Sequence, residues 1–470
     1  MTNLKGKKMT FVSAIQKTPV AARTANGMKA QASTTNPVVD LFYQIGASRG
    51  KDITVLFERA YAHDSKLATK VALWARDVRG GAGERQLFRD ILLHLEALHP
   101  DMLDKVLPHV ATYGRWDDLL VFKTEAFKAK AFVIIGDALR AGNGLAAKWM
   151  PRKGEVAVEM RKFFGMSPKQ YRKSLVALTN VVETPMCAKD FESIEFGKIP
   201  SLAAARYQKA FGRNAPVAYA AYKAALENGT AKVNAAAVYP YDVVKSIRMG
   251  DKVVAKAQWA ALPDYMTDAN VLPMVDVSGS MGCPVGGNPN LTCMDVAIAL
   301  GLYCADKNKG AFKDAFLTFS EKTKLEVLKG DILSKYAQLS RADWGMSTNL
   351  HGAFDAILKV ATAQNVPAAD MPKTLLILSD MQFNQCVRFD DSAFEMIKRK
   401  YEAAGYEVPN IVFWNLNSYG NVPVSFDTRG TALVSGFSPA IMKSILAGKE
   451  FTPEAIMLDT INSERYDVLG

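Results

Sequence analysis

Val271-Leu-Pro-Met-Val-Asp276-Val-Ser278-Gly-Ser280-Met281 reads as a buried strand running into a loop of oxygen-bearing side chains. Further apolar segments follow it at regular intervals. Strands are predicted at 315–319, 374–379 and 410–415, and helices at 294–305, 349–362, 392–404 and 439–446. Buried strands alternating with helices predict a mostly parallel sheet with helices on both faces. The second half of the chain, residues 262–470, is therefore predicted to be a Rossmann-like α/β domain.

In an open α/β sheet, ligands gather at the carboxyl ends of the strands. Asp276, Ser278 and Ser280 project there from one loop. Ser347-Thr348-Asn349 precedes a predicted helix, and Asp380 ends the strand at 374–379. Hydroxyls and carboxylates without His or Cys form a hard oxygen set, suited to Mg²⁺, Mn²⁺ or Ca²⁺. This D-x-S-x-S, then T, then D arrangement resembles the metal-ion-dependent adhesion site of von Willebrand factor A domains. The resemblance implies that Ser278 and Ser280 bind the metal directly, and Thr348 directly or through water. Asp276 and Asp380 would support the site through water. Two departures stand at the rim: Met381 where Gly often follows the second Asp, and the Gly-rich stretch 282–290. The loop is not a nucleophile elbow, which needs G-x-S-x-G. His351 is expected on a helix and not as a base for Ser280, so no enzyme is expected.

Upstream, residues 37–261 read as helix after helix. Phe88, Ile91, Leu92, Leu95 and Leu98 fall at helical spacing, and Pro100 breaks the run. Ser167-Pro168 is a helix start, with Ser as N-cap and Pro at the first helical position. Ser201 opens another. Successive amphipathic helices suggest an array of the HEAT type, although no repeat of fixed period is visible. Residues 1–36 hold six bases and no acid before Asp40, and read as a flexible basic arm.

The net charge of +11 is unevenly spread, at +17 over residues 1–260 and −6 over residues 261–470. A basic module suggests a polyanionic partner, with nucleic acid the usual candidate. No apolar run reaches the ~18 residues of a membrane helix, so no membrane partner is expected. Cys187, Cys283, Cys293, Cys304 and Cys386 show no C-x-x-C pair, which suits reduced thiols in a cytoplasm.

The bases cluster. Arg161, Lys162, Lys169, Arg172 and Lys173 lie in one acid-free stretch, and Arg206, Lys209 and Arg213 in another. Phe163, Phe164, Tyr171, Tyr207 and Phe211 are interleaved with them. Bases among aromatics suit single-stranded nucleic acid through phosphate pairing and base stacking, while aromatics facing a core would leave the bases a solvated face. Arg76, Arg79 and Arg85 flank a Gly-rich turn, 80–83. Its amides could cradle a phosphate, or it could be a tight interhelical turn.

A helical array followed by a von Willebrand A domain resembles the TROVE superfamily of telomerase, Ro and vault proteins. The stretches Trp74-Ala-Arg-Asp-Val-Arg-Gly-Gly81 with Gly83-Glu-Arg85, Tyr113-Gly-Arg115-Trp-Asp-Asp118 and Pro200-Ser-Leu-Ala-Ala-Ala-Arg-Tyr207 are similar to its helical part. Gly430-Thr-Ala-Leu-Val-Ser-Gly-Phe437 is similar to its final segment. The resemblance implies a basic helical ring closed by the A domain. Arg76, Arg79, Arg85 and Arg115 join the clustered bases as candidate contacts to single-stranded or small non-coding RNA. The competing expectation is an interaction scaffold whose metal captures an acidic group of a protein partner. A metal-dependent nuclease would need more grouped carboxylates than Asp276 and Asp380.

Overall fold

The computed structural model describes residues 20–179, 181–235, 238–249, 252–266, 270–286, 288–309, 311–319, 324–340, 349–385, 391–448 and 450–469. In chain order its strands are β1 (Ala21–Arg23), β2 (Lys29–Gln31), β3 (Val271–Asp276), β4 (Pro284–Val285), β5 (Asn288–Thr292), β6 (Ala315–Phe319), β7 (Lys324–Val327), β8 (Thr374–Ser379), β9 (Asn410–Asn415) and β10 (Thr431–Ser435). One sheet has the order β10-β9-β8-β3-β6-β7. Its first five strands are parallel, and β7 runs antiparallel along the β6 edge. β3, β6, β8 and β10 are buried at every position, as strands covered on both faces must be.

Chain order runs outward from β3 through β6 and β7, and the other way from β8 through β9 and β10. The reversal falls between β3 and β8, the place where a crevice opens beyond the carboxyl ends of the strands. The helix Cys293–Lys307 crosses close over this sheet, and Gly301 permits the approach. A Cβ there would lie 2.5 Å from Val275 Cγ2. The mostly parallel sheet agrees with the pattern read from 271 onward. β7 and β10, the β4–β5 hairpin and the helices Ile332–Ser340 and Pro453–Ile461 are additions to it. β7 gives no apolar run because Leu325 and Val327 remain more than half exposed.

From Pro37 to Ala260 the described residues form helices and short 3-10 turns, with no strand. Asn36 caps the first helix, Pro37–Ile45, accepting from the amides of Val38 and Val39. Ser167 caps Pro168–Leu178 in a reciprocal box with Gln170. Pro100 opens a separate helix, Pro100–Val106.

The helix Pro37–Ile45 packs against β10. Gly46 comes so near Gly436 that a Cβ on it would lie 2.7 Å from the Gly436 amide nitrogen. The Gly46 N–H donates to Ser435 Oγ at 3.1 Å. One apolar core therefore runs from Met28 through Leu73 and Val275 to Leu469, shared by the helical and α/β parts. A smaller cluster around Phe196, Phe211 and Tyr219 stands apart from it.

Residues 20–36 correct the expectation of a flexible arm. β1 and β2 pair as a hairpin, and Gln31 and Val422 exchange backbone hydrogen bonds of 2.8 Å. Thr24 Oγ1 donates to the Phe383 carbonyl at 2.7 Å. Such backbone pairing needs no apolar run, so composition does not reveal it. Residues 1–19 lie outside the described residues.

Candidate metal centre and basic faces

Asp276 ends β3 and Asp380 follows β8, so the adjacent strands at the reversal point bring both carboxylates to one crevice. Ser278 N–H donates to Asp276 Oδ1 at 2.9 Å, and Ser379 Oγ donates to Oδ2 at 2.5 Å. The Ser278 and Ser280 hydroxyl oxygens stand 3.1 Å apart. Asp276, Ser278 and Asp380 are buried, while Ser280 is exposed. Thr348 and its neighbour Ser347 lie outside the described residues; Asn349 caps the helix Leu350–Ala363.

Burial, with the nearby charge of Asp380, pushes the Asp276 carboxyl up to about 7. Burial raises Asp380 as well. Asp380 Oδ1 accepts from Gln382 N–H at 3.2 Å, but its buried Oδ2 has no hydrogen-bond partner. An orphaned buried carboxylate oxygen is costly unless something positive meets it. The donor set, all oxygen with one hydroxyl open to solvent, fits a hard divalent cation. Met381 sits at φ 63°, which explains why glycine suits this position, and its N–H donates to Ser379 Oγ at 2.9 Å. Ser379 was not singled out from sequence, although the Ser-Asp pair at a strand end was its signal. His351 pairs with Asp355 on its own helix at 3.1 Å.

The hairpin β4–β5 brings the sulfurs of Cys283 and Cys293 to 3.3 Å beside this crevice. Lys51 lies near, donating to Asn417 Oδ1 at 2.7 Å.

The candidate bases divide sharply. Arg76 is a correction: it is buried, and its Nε donates to Asp118 Oδ2 at 2.8 Å. Asp118 also accepts from Arg89 Nε at 2.7 Å and the Arg115 N–H at 2.9 Å. Arg115 is likewise engaged, paired to Asp117 with Nε–Oδ1 at 2.9 Å and stacked 3.7 Å over the Trp149 ring. Arg79 and Arg85 remain exposed. Partial burial and the neighbouring Arg115, Arg89 and Arg76 depress the Arg85 guanidinium.

Three amides in and beside the Gly-rich turn are spent internally and so are not offered to a phosphate. Gly81 N–H donates to Asp77 O, Ala82 N–H to Trp74 O and Glu84 N–H to Ala75 O. A Cβ at Gly81 would lie 1.8 Å from Trp74 O, and one at Gly83 2.0 Å from Tyr239 Oη. Glu84 is buried and takes both arms of Arg49, at 2.6 and 2.9 Å. This is the tight-turn alternative.

Arg161 and Lys162 fall on the helix Glu155–Phe163 and Lys169, Arg172 and Lys173 on Pro168–Leu178, and none has an ion pair among the described residues. Lys169, Arg172, Lys173 and Val176 share one face, while Tyr171 and Leu175 are buried opposite. Between these helices and Glu125–Arg140 opens a groove of about 730 Å³ lined by Phe132, Phe163, Phe164, Tyr171 and Leu178. Phe163 is 45% exposed at its edge. Arg206, Lys209 and Arg213 are exposed along Ser201–Asn214, whereas Phe211 belongs to the small core.

No helix among the described residues is long and apolar enough to cross a membrane. Comparison with known proteins gives two family matches. Residues 24–132 and 145–272 match a domain of unknown function, DUF2828, and residues 270–467 match another, DUF7788. The uncharacterized protein L728 of Acanthamoeba polyphaga mimivirus is 30% identical over 521 residues, covering 95% of this chain and 90% of that one. The crystal structure of the Ro (RSR) protein of Deinococcus radiodurans aligns with 90% of this chain and 93% of its own, at 14% identity and a TM-score of 0.38. With the first of these models spanning half of its length and a relative matching nearly all of it, the chain belongs to the DUF2828 family.

Proposed function

We propose that this protein binds single-stranded RNA in the manner of a TROVE-like module, with HEAT-like helices as the binding part. In this reading the α/β part is a von Willebrand A-like domain that holds a divalent ion, and the chain binds without catalysing. The observation that carries the reading is the basic face of Pro168–Leu178 beside the aromatic groove. Cations without partners on a folded surface keep their charge available for phosphates. An exposed ring at the same edge offers a stacking platform. Bases at a helix end also offset the helix dipole, which suits Arg161 and Lys162 in the last turn of Glu155–Phe163. That explanation does not extend to Lys169, Arg172 and Lys173, which lie in the first half of their helix.

The test is titration of a labelled oligonucleotide with wild type, the triple variant K169E/R172E/K173E, and K359E on the α/β part as control. The triple variant should weaken every single-stranded sequence about equally, since phosphate contacts carry no base identity. Wild-type affinity in the triple variant would end the reading.

The second reading, capture of a partner's acidic side chain, is favoured by the open edge of the metal centre at Ser280. It predicts Mg²⁺-dependent binding abolished by S278A, with RNA affinity untouched.

A further inference from the structure

His94 and His99 stand five residues apart. On an unbroken helix that spacing would turn them about 140° away from each other. The helix Gln86–Leu98 stops before Pro100, however, and His99 takes φ −136° and ψ 57° between it and the next helix. The break swings His99 back, and both imidazoles converge on Glu58 of the helix Thr54–His63. Glu58 Oε2 lies 2.7 Å from His94 Nε2 and 2.9 Å from His99 Nε2. One ligand atom from each residue falls within 4.8 Å of the others.

Both rings are held in place. Tyr61 stacks on His99 at 3.9 Å, and the buried Phe57 sets its edge against His94 at 5.9 Å. The side chains are only partly covered, at 17%, 22% and 39% exposure for His94, His99 and Glu58. The set lies in a helical segment remote in sequence from the oxygen-lined crevice.

We propose that Glu58, His94 and His99 form a second metal site, selective for a borderline divalent cation of the zinc class. Two imidazole nitrogens and one carboxylate oxygen supply three of four tetrahedral positions, and the solvent-open side leaves the fourth to water. Ligand atoms around tetrahedral zinc stand roughly 3.3 Å apart, so the three side chains open by about half an ångström to admit the ion. Without metal, Glu58 accepts the Nε2–H of each imidazole. With metal, that proton sits on Nδ1 and the Nε2 lone pair faces the ion. Nitrogen ligands exclude Mg²⁺ and Ca²⁺, which take oxygen. The site is thus chemically distinct from the one at Asp276, and it does not rest on the RNA reading.

The experiment uses the full chain, stripped of metal and titrated with Zn²⁺ against a chromogenic chelator, then with Co²⁺ for its visible absorption. One ion per chain is expected at this site, with the spectrum of four-coordinate Co²⁺ and no competition from Mg²⁺. Outer-shell partners alone change metal affinity by about 10- to 100-fold, so loss of a direct ligand in H94A or H99N should cost at least about tenfold. E58Q keeps the volume and can still accept from one ring. It guards against loss through misfolding, and its melting curve without metal should match that of wild type. The variant C283S/C293S should retain the ion. Unchanged Zn²⁺ affinity in H94A/H99N, absence of binding in wild type, or binding lost only in C283S/C293S overturns the proposal.

Discussion

Arg465 grips Asp77 across 388 positions of sequence, donating from Nη2 to Oδ1 at 2.7 Å and from Nε to Oδ2. Tyr466 Oη adds a third donor to the same carboxylate at 2.9 Å, and Tyr113 Oη ties down the Arg465 carbonyl at 2.5 Å. Asp77 is fully buried at the head of the Gly-rich turn. The final 3-10 turn of the α/β part thereby closes onto the helical part.

Burial works to raise the Asp77 carboxyl, but the Arg465 pair and the Arg79 amide outweigh it and hold it below 3.8. A depressed carboxyl stabilises the fold above its ordinary value and loses that contribution as pH falls through the lower folded value. R465M should therefore lower the unfolding free energy at pH 7 by about 2 kcal/mol, the worth of a charge-assisted hydrogen bond. The gap to wild type should narrow below pH 3.8. Urea titrations of both proteins across that range measure it. Equal midpoints at neutral pH would show that the grip contributes nothing.

The metal-free protein should show the opposite slope from Asp276. Its carboxyl is raised to about 7 in the fold and returns to about 3.8 when unfolded. Between those values the folded state binds the extra proton, so stability falls as pH rises through the window and levels off above it. A bound ion replaces that proton. In EDTA, the melting temperature should be higher at pH 5 than at pH 8; with Mg²⁺ at a hundredfold excess over Kd, about 2.7 kcal/mol should return at pH 8. D276N should lose both the slope and the metal response. Superimposable EDTA and Mg²⁺ curves at pH 8 would remove the metal from the crevice.

The α/β half was legible because its strands are covered on both faces, so Leu375–Leu378 and Val271–Val275 stand out as apolar runs. The D-x-S-x-S loop and Asp380 were legible because each follows an apolar run, whereas their meeting in one crevice comes from the strand order that sets β3 beside β8. The basic residues were legible only as charge. Arg76 and Lys169 look alike in a sequence, yet one is buried on Asp118 and the other points to solvent. Which of two arginines meets a carboxylate depends on partners such as Asp118, 42 positions away. The Glu58–His94–His99 set was hidden for a related reason. Its spacing makes sense only once the chain breaks at His99.

Charge and stacking on the basic groove should separate in one experiment. Each phosphate neutralised on a single strand contributes about 0.7 to the slope of log K against log salt. K169E/R172E/K173E should therefore flatten the slope by about 2. Phe163 carries no charge, so F163A should leave the slope unchanged and weaken binding at every salt concentration by about 1–3 kcal/mol. Fluorescence anisotropy over a range of salt distinguishes the two. An F163A variant with wild-type affinity would place the bases away from the groove and leave only the basic face in contact.

Cys283 should be the most readily alkylated of the described thiols in the α/β half. Its sulfur lies 3.3 Å from that of Cys293, and Asn417 Nδ2 donates to it at 3.4 Å. Of the two sulfurs, Cys283 is the more open, and both sense the Lys51 ammonium. The negative charge therefore settles on Cys283, with the Cys293 S–H as its donor. That hydrogen bond holds the Cys283 thiol below the ordinary range and pushes Cys293 above it. Cys304, sealed in the core, is raised to about 12 by burial. The thiolate is the reactive form, so labelling follows these positions. Iodoacetamide at neutral pH should modify Cys283 well before Cys293 and Cys304, which should react fully only in denaturant. Removing the donor in C293A should shift the pH of half-maximal Cys283 labelling upward. Peptide mapping after timed exposure reads each site separately. Should C293A label with the wild-type pH profile, the low Cys283 value would not come from its neighbour, and Asn417 with Lys51 would have to account for it.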